Sequence, residues 1–164
     1  MPSRAKTLRA AALALTAAAS LAVPAVARSQ LLEAKVVSLQ AAKTMAVAAE
    51  AEAKKHGWSV AVAVVDVSGN LIVFDRMDDV QIGSVDVAIQ KARTAARFRR
   101  PTKAFADGLA TGGTGVLSVQ GAVAVAGGIP IVVDGKVIGA VGCSGMTSDQ
   151  DATAAQAGVD ALQH

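Results

Sequence analysis

Three arginines are spaced so that they share one face of a predicted helix. Arg93, Arg97 and Arg100 stand at i, i+4 and i+7, a spacing that aligns side chains along a helix. Guanidinium groups bind carboxylates through paired hydrogen bonds, so this face suits an anionic ligand such as a pair of propionates, or an acidic partner. A solvated helix face is the alternative interpretation. Three further cations widen the patch: Lys91, Arg99 and Lys103.

A second candidate is the pair Arg76-Met77, which ends a predicted strand and precedes two aspartates. An arginine at a strand end could orient a carboxylate ligand, or it could form a surface ion pair with a neighbouring aspartate. With Lys91 or Asp66 moving a proton, the same arginine could serve an enzyme acting on a small carboxylate. That reaction requires Arg76 and Lys91 to line one small pocket.

The glycine-rich segment at residues 142–145 precedes a predicted helix, where a phosphate could bind. Asp149 and Asp151 stand in the first turn of that helix, and their charges would oppose an anion. The segment also lacks the lysine and the spacing of nucleotide-binding loops. We therefore interpret it as a place of close backbone approach and helix capping.

Few side chains could bind a metal ion or act as a nucleophile. The chain has two histidines and one cysteine, which exclude an internal disulfide and a cysteine-rich zinc site. His56 stands at a predicted helix end, where it could interact with the helix dipole. Cys143 lies in an apolar run and is predicted to be a buried thiol. Three methionines could bind iron or pack in the core: Met45, Met77 and Met146.

Residues 1–27 are predicted to be a secretory signal peptide. Arg4, Lys6 and Arg9 precede an apolar run at residues 10–23, which is followed by Pro24 and an Ala-x-Ala site. The run is shorter than the roughly 20 residues of a membrane span, so we expect a periplasmic or secreted protein without stable membrane insertion.

The charge balance and the scarcity of aromatic residues argue against nucleic-acid binding. Removal of residues 1–27 would bring the 16 basic side chains into balance with the 13 acidic ones, which leaves no general attraction for phosphate backbones. Three phenylalanines and one tryptophan are too few for a surface on which bases stack.

Residues 28–164 are predicted to form a single α+β domain. Apolar spacing and turn residues predict helices over residues 31–55, 84–97, 101–109 and 148–162, and strands over 59–67, 71–75, 121–126, 129–133 and 136–141. Asp134-Gly135 is typical of a two-residue hairpin turn. Because hairpins dominate, we expect a central antiparallel sheet of about five strands with helices packed on it.

Several motifs in order resemble those of the GlcG/HbpS family of haem-binding proteins, which includes the PduO C-terminal-like domain. They are VAVVDxxGxL at residues 62–71, RMD at 76–78, AxxKAxTA at 88–95, GGIPI at 127–131, GxVIGAVGxSG at 135–145 and QD at 150–151. The resemblance runs from about residue 32 to 162. It implies a profilin-like α+β fold, symmetric homo-oligomers and haem binding. In the secreted branch it implies signalling of haem or redox stress to a two-component sensor kinase.

The resemblance also implies which residues line the ligand cleft. The family's motifs correspond here to Arg76, Met77, Lys91, Thr94, Gly128, Pro130, Ser144 and Gly145. The arginine face and Phe98 would complete the cleft, with Arg97 and Arg100 holding the propionates. An early histidine binds iron in some members, and this chain offers His56 for that role.

Three functions are therefore open from the sequence. We favour an exported, non-enzymatic protein that binds haem or another tetrapyrrole, with a corrinoid the less favoured ligand. The second is the small-carboxylate enzyme described above. The third is an interaction module that docks on a sensor-kinase ectodomain.

Overall fold

The centre of the fold is an antiparallel sheet of four strands. In this computed structural model, which describes residues 32–162, the strands are β1 (Ala61–Asp66), β2 (Leu71–Arg76), β3 (Gly128–Val133) and β4 (Lys136–Ser144). They lie in the order β2-β1-β4-β3. The two hairpins β1–β2 and β3–β4 were predicted, and the Asp66 carboxylate closes the first by accepting hydrogen bonds from the Ser68 and Asn70 N–H groups.

Four α-helices accompany the sheet: α1 (Leu39–Lys55), α2 (Ser84–Phe98), α3 (Lys103–Ala110) and α4 (Ser148–Asp160). A short 3-10 helix follows α3 at Thr114–Ser118. The contacts within the chain define a compact unit at Ala34–His164, and the predicted signal peptide lies outside the described residues. Among residues 32–162, no helix is both long and apolar enough to span a bilayer.

Strand β1 and the residue before it alternate between large and small side chains, and this alternation gives the sheet two different faces. Val60, Val62 and Val64 pack against α1 and α4, whereas Ala61 and Ala63 face α2. Successive side chains of a strand point to opposite faces. The alanine face therefore lets α2, whose own buried residues are mostly alanines, approach the sheet closely.

The predicted fifth strand at residues 121–126 does not form. Backbone groups of this segment bond to a side chain of α2 instead of a neighbouring strand: the Thr94 hydroxyl donates to the Gly121 carbonyl and accepts from the Val123 N–H. Gly121 also has a φ of 78°, a left-handed conformation that does not continue a strand. The α+β class is confirmed, with four strands rather than five.

Two predicted boundaries were also wrong. The first helix begins at Leu39, after the Ser38 side chain caps it, rather than at residue 31. The last helix begins at the predicted residue, Ser148, and is capped by Thr147, with Gln150 completing a capping box. Strand β4 runs to Ser144, so most of the predicted glycine loop is strand, because Cys143 and Ser144 pair with β1.

Because α2 packs closely against β4 at Gly142, we predict that a side chain at this position lowers the stability of the fold. A methyl group there would meet the backbone of Ala88 and Ala92. We expect Gly142→Ala to lower the free energy of unfolding by about 1–3 kcal/mol, the usual cost of overpacking, measured by urea denaturation. The matched control is Gly83→Ala, because nothing lies within 4 Å of its new methyl group. Equal stability of the two variants would contradict this account of the α2 packing.

Candidate functional site

Among the fully buried residues of the described chain, Lys91 has the largest side chain. It connects α2 on one face of the sheet to α4 on the other. It extends from α2 with 1% of its surface exposed. Its ammonium group donates hydrogen bonds to the Asp151 carboxylate of α4 at 2.7 Å and to the Cys143 carbonyl of β4 at 3.0 Å. The backbone of Gly127 closes over it, with a φ of 122°. The Lys91 ammonium group is thus hydrogen-bonded to other residues inside the protein.

The surroundings of this ion pair determine its electrostatics. Burial raises the pKa of the Asp151 carboxyl, although hydrogen bonds from the Lys91 ammonium and the Met146 N–H act in the opposite direction. Burial also raises the pKa of the Cys143 thiol, which is fully buried, as predicted. The thiolate is the nucleophilic form of cysteine, so this side chain is poorly suited to nucleophilic chemistry.

Two buried threonines hold the ends of the segment at residues 103–126, which we call the arm. Thr94 of α2 binds the arm through Gly121 and Val123, as described above. Thr102, just before the arm, accepts a hydrogen bond from the Gly128 N–H at 2.9 Å, and its own N–H donates to the Gly128 carbonyl at 3.0 Å. Two of the predicted residues therefore hold the arm in place. Thr94 attaches its C-terminal part to α2, and Gly128 bonds to Thr102 at its start.

An aromatic corner forms where α2 meets the arm. The rings of Phe98 and Phe105 pack edge to face, with centroids 5.4 Å apart. The Arg100 guanidinium lies 5.6 Å from the centroid of Phe105. Two half-buried rings and a cation beside them offer an apolar platform with a charged rim, and we call this set the Phe98–Phe105 platform.

The other arginines of the predicted face contact the β1–β2 turn. The Arg97 side chain donates to the Ser68 carbonyl at 2.9 Å, and Arg93 donates to the Gly69 carbonyl at 3.1 Å. Each of these bonds uses only the Nε–H, and the terminal nitrogens remain as donors. The solvated-face interpretation is thus incomplete, because two of these arginines stabilise a turn.

Arg76 and Met77 lie at a separate place. Arg76 lines a polar cavity of about 340 Å³ together with Ser59, Lys54 and several carboxylates. The Met77 sulfur accepts a hydrogen bond from the Val60 N–H at 3.5 Å. The ion pairs found within residues 32–162 do not include Arg76. Lys91 does not line this cavity, so the structure does not bring the two residues of the proposed carboxylate enzyme together.

The remaining motif residues have backbone roles. Pro130 lies in the edge strand β3, a position that tolerates its missing N–H. Ser144 is the last residue of β4 and pairs with Ala61. A side chain at Gly145 would meet the backbone of Ser59, which agrees with the predicted close approach.

His56 and the Phe98–Phe105 platform belong to helices on opposite faces of the sheet. His56 caps the C-terminal end of α1, on the sheet face opposite α2. Its ring stacks on Trp58 with centroids 4.4 Å apart, and its Nε2 lies 3.1 Å from a Glu52 oxygen. Within residues 32–162, no three His, Cys, Asp or Glu side chains converge in a way that could hold a metal ion.

Sequence reasoning missed Thr102, Phe105 and the pairing of Asp151 with Lys91. The sequence places Asp151 in the first turn of the last helix, and nothing in its local spacing indicates a partner in α2. Phe105 follows Phe98 by seven residues, but the intervening Pro101 breaks the helical face that would have related them.

The buried ion pair predicts a pH-dependent loss of stability. Lys91→Met leaves the Asp151 carboxylate buried without its counterion, so we expect the free energy of unfolding to fall by about 3–5 kcal/mol at about pH 7. Because the Lys91 ammonium lowers the pKa of Asp151, we expect this pKa to be higher in the variant than in the wild type. The cost of burying the carboxylate is full above that raised pKa and disappears as pH falls toward the unfolded value of about 3.9. The deficit relative to wild type therefore shrinks on acidification.

The measurement is urea denaturation of both proteins at about pH 7 and about pH 4.5. Lys103→Met is the matched control, because Lys103 pairs with Asp107 at the same 2.7 Å but on the surface. We expect that control to match the wild type. A Lys91→Met protein as stable as the control would refute the structural role of the pair.

Comparisons with known proteins agree with this architecture. The family model described as "Haem degrading protein HbpS-like" matches residues 37–160. Protein GlcG of Escherichia coli K12 is 41% identical over 109 residues, covering 66% of this chain and 81% of that protein. A double mutant of HbpS from Streptomyces reticuli is 36% identical with a TM-score of 0.76, covering 82% of this chain and 92% of that one.

A further solved structure, titled as a complex of PduOC with heme, is 31% identical with a TM-score of 0.72 and covers 77% of this chain and 95% of that one. The family match spans both hairpins, the Lys91–Asp151 pair and the arm. The chain therefore belongs to the HbpS-like family.

Proposed function

We propose that this protein is an exported haem- or tetrapyrrole-binding protein that acts in haem or redox-stress sensing. The observation that carries the proposal is the likeness to PduOC, whose structure is titled as a heme complex. The family description also names haem. Export rests on the basic and apolar pattern of residues 1–27, and partnership with a sensor-kinase ectodomain rests on the family resemblance.

The residues around the Phe98–Phe105 platform fit a tetrapyrrole. A large flat ring is bound mainly by burial of its apolar faces, and the two phenylalanines supply such a surface. Arg100 borders the rings, and Arg97 has terminal nitrogens free of the turn contact. These two cations would pair with the propionates, and the bound haem would supply the redox chemistry.

The residue that would bind the iron depends on whether haem lies at the Phe98–Phe105 platform or beside His56. At the platform, the Thr94 hydroxyl is already bonded to Gly121 and Val123, and His56 lies on the opposite sheet face. We therefore propose haem held by stacking and propionate pairing rather than by His56. A histidine-bound haem would instead have to displace the Trp58 and Glu52 contacts of His56.

Haem degradation is the second candidate, because the family description names it. Binding and degradation give different spectra over time. A bound haem that is not degraded keeps its Soret band in the presence of a reductant and oxygen. Degradation bleaches that band and releases iron. The small-carboxylate enzyme is less favoured, because Lys91 is paired with Asp151 and lies apart from the Arg76 cavity.

A haemin titration tests the proposal and the iron ligand together. We expect a saturable Soret shift in the wild-type protein and the same shift in His56→Ala, because His56 lies away from the platform. Loss of the shift in His56→Ala would move haem to the α1 side of the sheet. The absence of a saturable shift in the wild type would refute haem binding.

The arginines predict a second result. Arg97→Ala combined with Arg100→Ala removes both propionate partners, so we expect haemin affinity to fall by about tenfold or more and to depend less on salt. Lys43→Ala is the control, since it removes an exposed cation from α1 on the other sheet face. Equal affinities of the double variant, the control and the wild type would exclude the platform as the site.

A further inference from the structure

The cavity beside Arg76 is small and polar, and the proposed haem site does not include it. Its volume is about 340 Å³, near the lower end of the range of about 300–1,000 Å³ that is usual for ligand cavities. Among the described residues that line it, Met77 is the one apolar side chain. Haem is bound mainly by burial of large apolar faces, so this cavity suits a small polar ligand instead.

The charged groups of the cavity divide into a paired set and an unpaired set. Glu50 and Lys54 of α1 form an ion pair with each other at 3.1 Å, so their charges offset one another. Arg76, Asp78 and Asp79 also line the cavity, but the ion pairs found in the described part of the chain include none of them. The charges left for a ligand are therefore one guanidinium and two carboxylates.

The backbone at Arg76 is fixed by the end of the β1–β2 hairpin. Arg76 pairs with Ala61 in the sheet. The next residue, Met77, donates its N–H to the Val60 carbonyl at 3.2 Å, and its sulfur accepts the Val60 N–H. A site whose backbone is ordered before the ligand arrives loses little conformational entropy on binding.

A turn brings the two aspartates to the same cavity. Asp79 has a φ of 65°, a left-handed conformation that aspartate adopts more readily than most residues with a side chain. The chain then continues to Val80, which is buried in the core on the α2 side of the sheet. Asp78 and Asp79 thus stay at the cavity while the chain returns to the core.

We propose that this cavity binds a small zwitterion, a molecule that carries both a carboxylate and an ammonium group, such as a free amino acid. Arg76 binds the carboxylate through paired hydrogen bonds, and the two aspartates accept hydrogen bonds from the ammonium group. The Ser59 hydroxyl, which also lines the cavity, can donate to one end of the ligand or accept from the other. The inference concerns binding without a reaction, because Lys91 does not line the cavity.

Ligands with a single kind of charge fit this cavity less well. A phosphate or a simple carboxylate would pair with Arg76 but would face the negative charges of Asp78 and Asp79. An amine or a metal ion would face the guanidinium. In addition, no three His, Cys, Asp or Glu side chains among residues 32–162 converge on a possible metal position. A zwitterion pairs with both kinds of charge at once.

The test is isothermal titration calorimetry of the haem-free protein at low salt and about pH 7, where all the groups concerned are charged. The probes are glycine, β-alanine and γ-aminobutyrate, in which the two charges lie increasingly far apart. Butyrate and butylamine are the singly charged controls. We expect saturable binding of at least one zwitterion, about tenfold or more tighter than either control, because each control lacks one charge-assisted contact.

Variants locate the site. Arg76→Gln, and Asp78→Asn combined with Asp79→Asn, should each weaken zwitterion binding by about tenfold or more. Asparagine tolerates the left-handed conformation at residue 79. The matched controls are Arg99→Gln at the end of α2 and Asp107→Asn in α3, which should keep the wild-type affinity. All five positions are exposed, so we expect every variant to fold, which circular dichroism checks.

Three results would overturn the proposal. The first is the absence of saturable heat with all three zwitterions in the wild type. The second is binding of butyrate or butylamine as tight as that of the zwitterions, which would exclude this ligand class. The third is an affinity unchanged by Arg76→Gln, or lowered equally by Arg99→Gln, which would exclude this cavity. Because the protein is free of haem, none of these results depends on haem binding.

Discussion

The ion pair between Lys91 and Asp151 is the interaction on which the arrangement of the site depends. It links α2, on one face of the sheet, to α4, on the other, beside the end of β4. A buried ammonium is costly unless its hydrogen bonds are made, so the Cys143 carbonyl and the turn at Gly127 must stay where they are. Gly127 directly follows the arm, and Gly128 begins β3. One buried charge thus orders the elements around the arm.

The small residues of the α2 side are the second constraint. Alanines on β1 and α2, with Gly142 on β4, let backbone approach backbone. Only α2 lies over this face in the described chain, so the arm is attached at its border by threonine hydrogen bonds rather than by a core of its own. This explains how a segment can be attached to the domain and still leave leucine and valine side chains uncovered.

The arm and the Phe98–Phe105 platform are neighbours, since Phe105 belongs to the arm itself. A tetrapyrrole stacked on the proposed platform would therefore cover apolar side chains at the start of the arm.

Much of the fold could be predicted from the sequence, because periodicity and turn chemistry are local: both hairpins, the four helices and the buried state of Cys143 follow from residue spacing. Candidate site residues could be named from motifs, but not placed. The strand predicted at residues 121–126 failed because a distant threonine takes its backbone bonds, and the separation of His56 from Phe98 follows from which sheet face each helix covers. What the sequence alone determined was the two hairpins, the four helices and the family. Only the tertiary structure decided which side chains meet, because the pairing of Lys91 with Asp151 joins residues far apart in the chain.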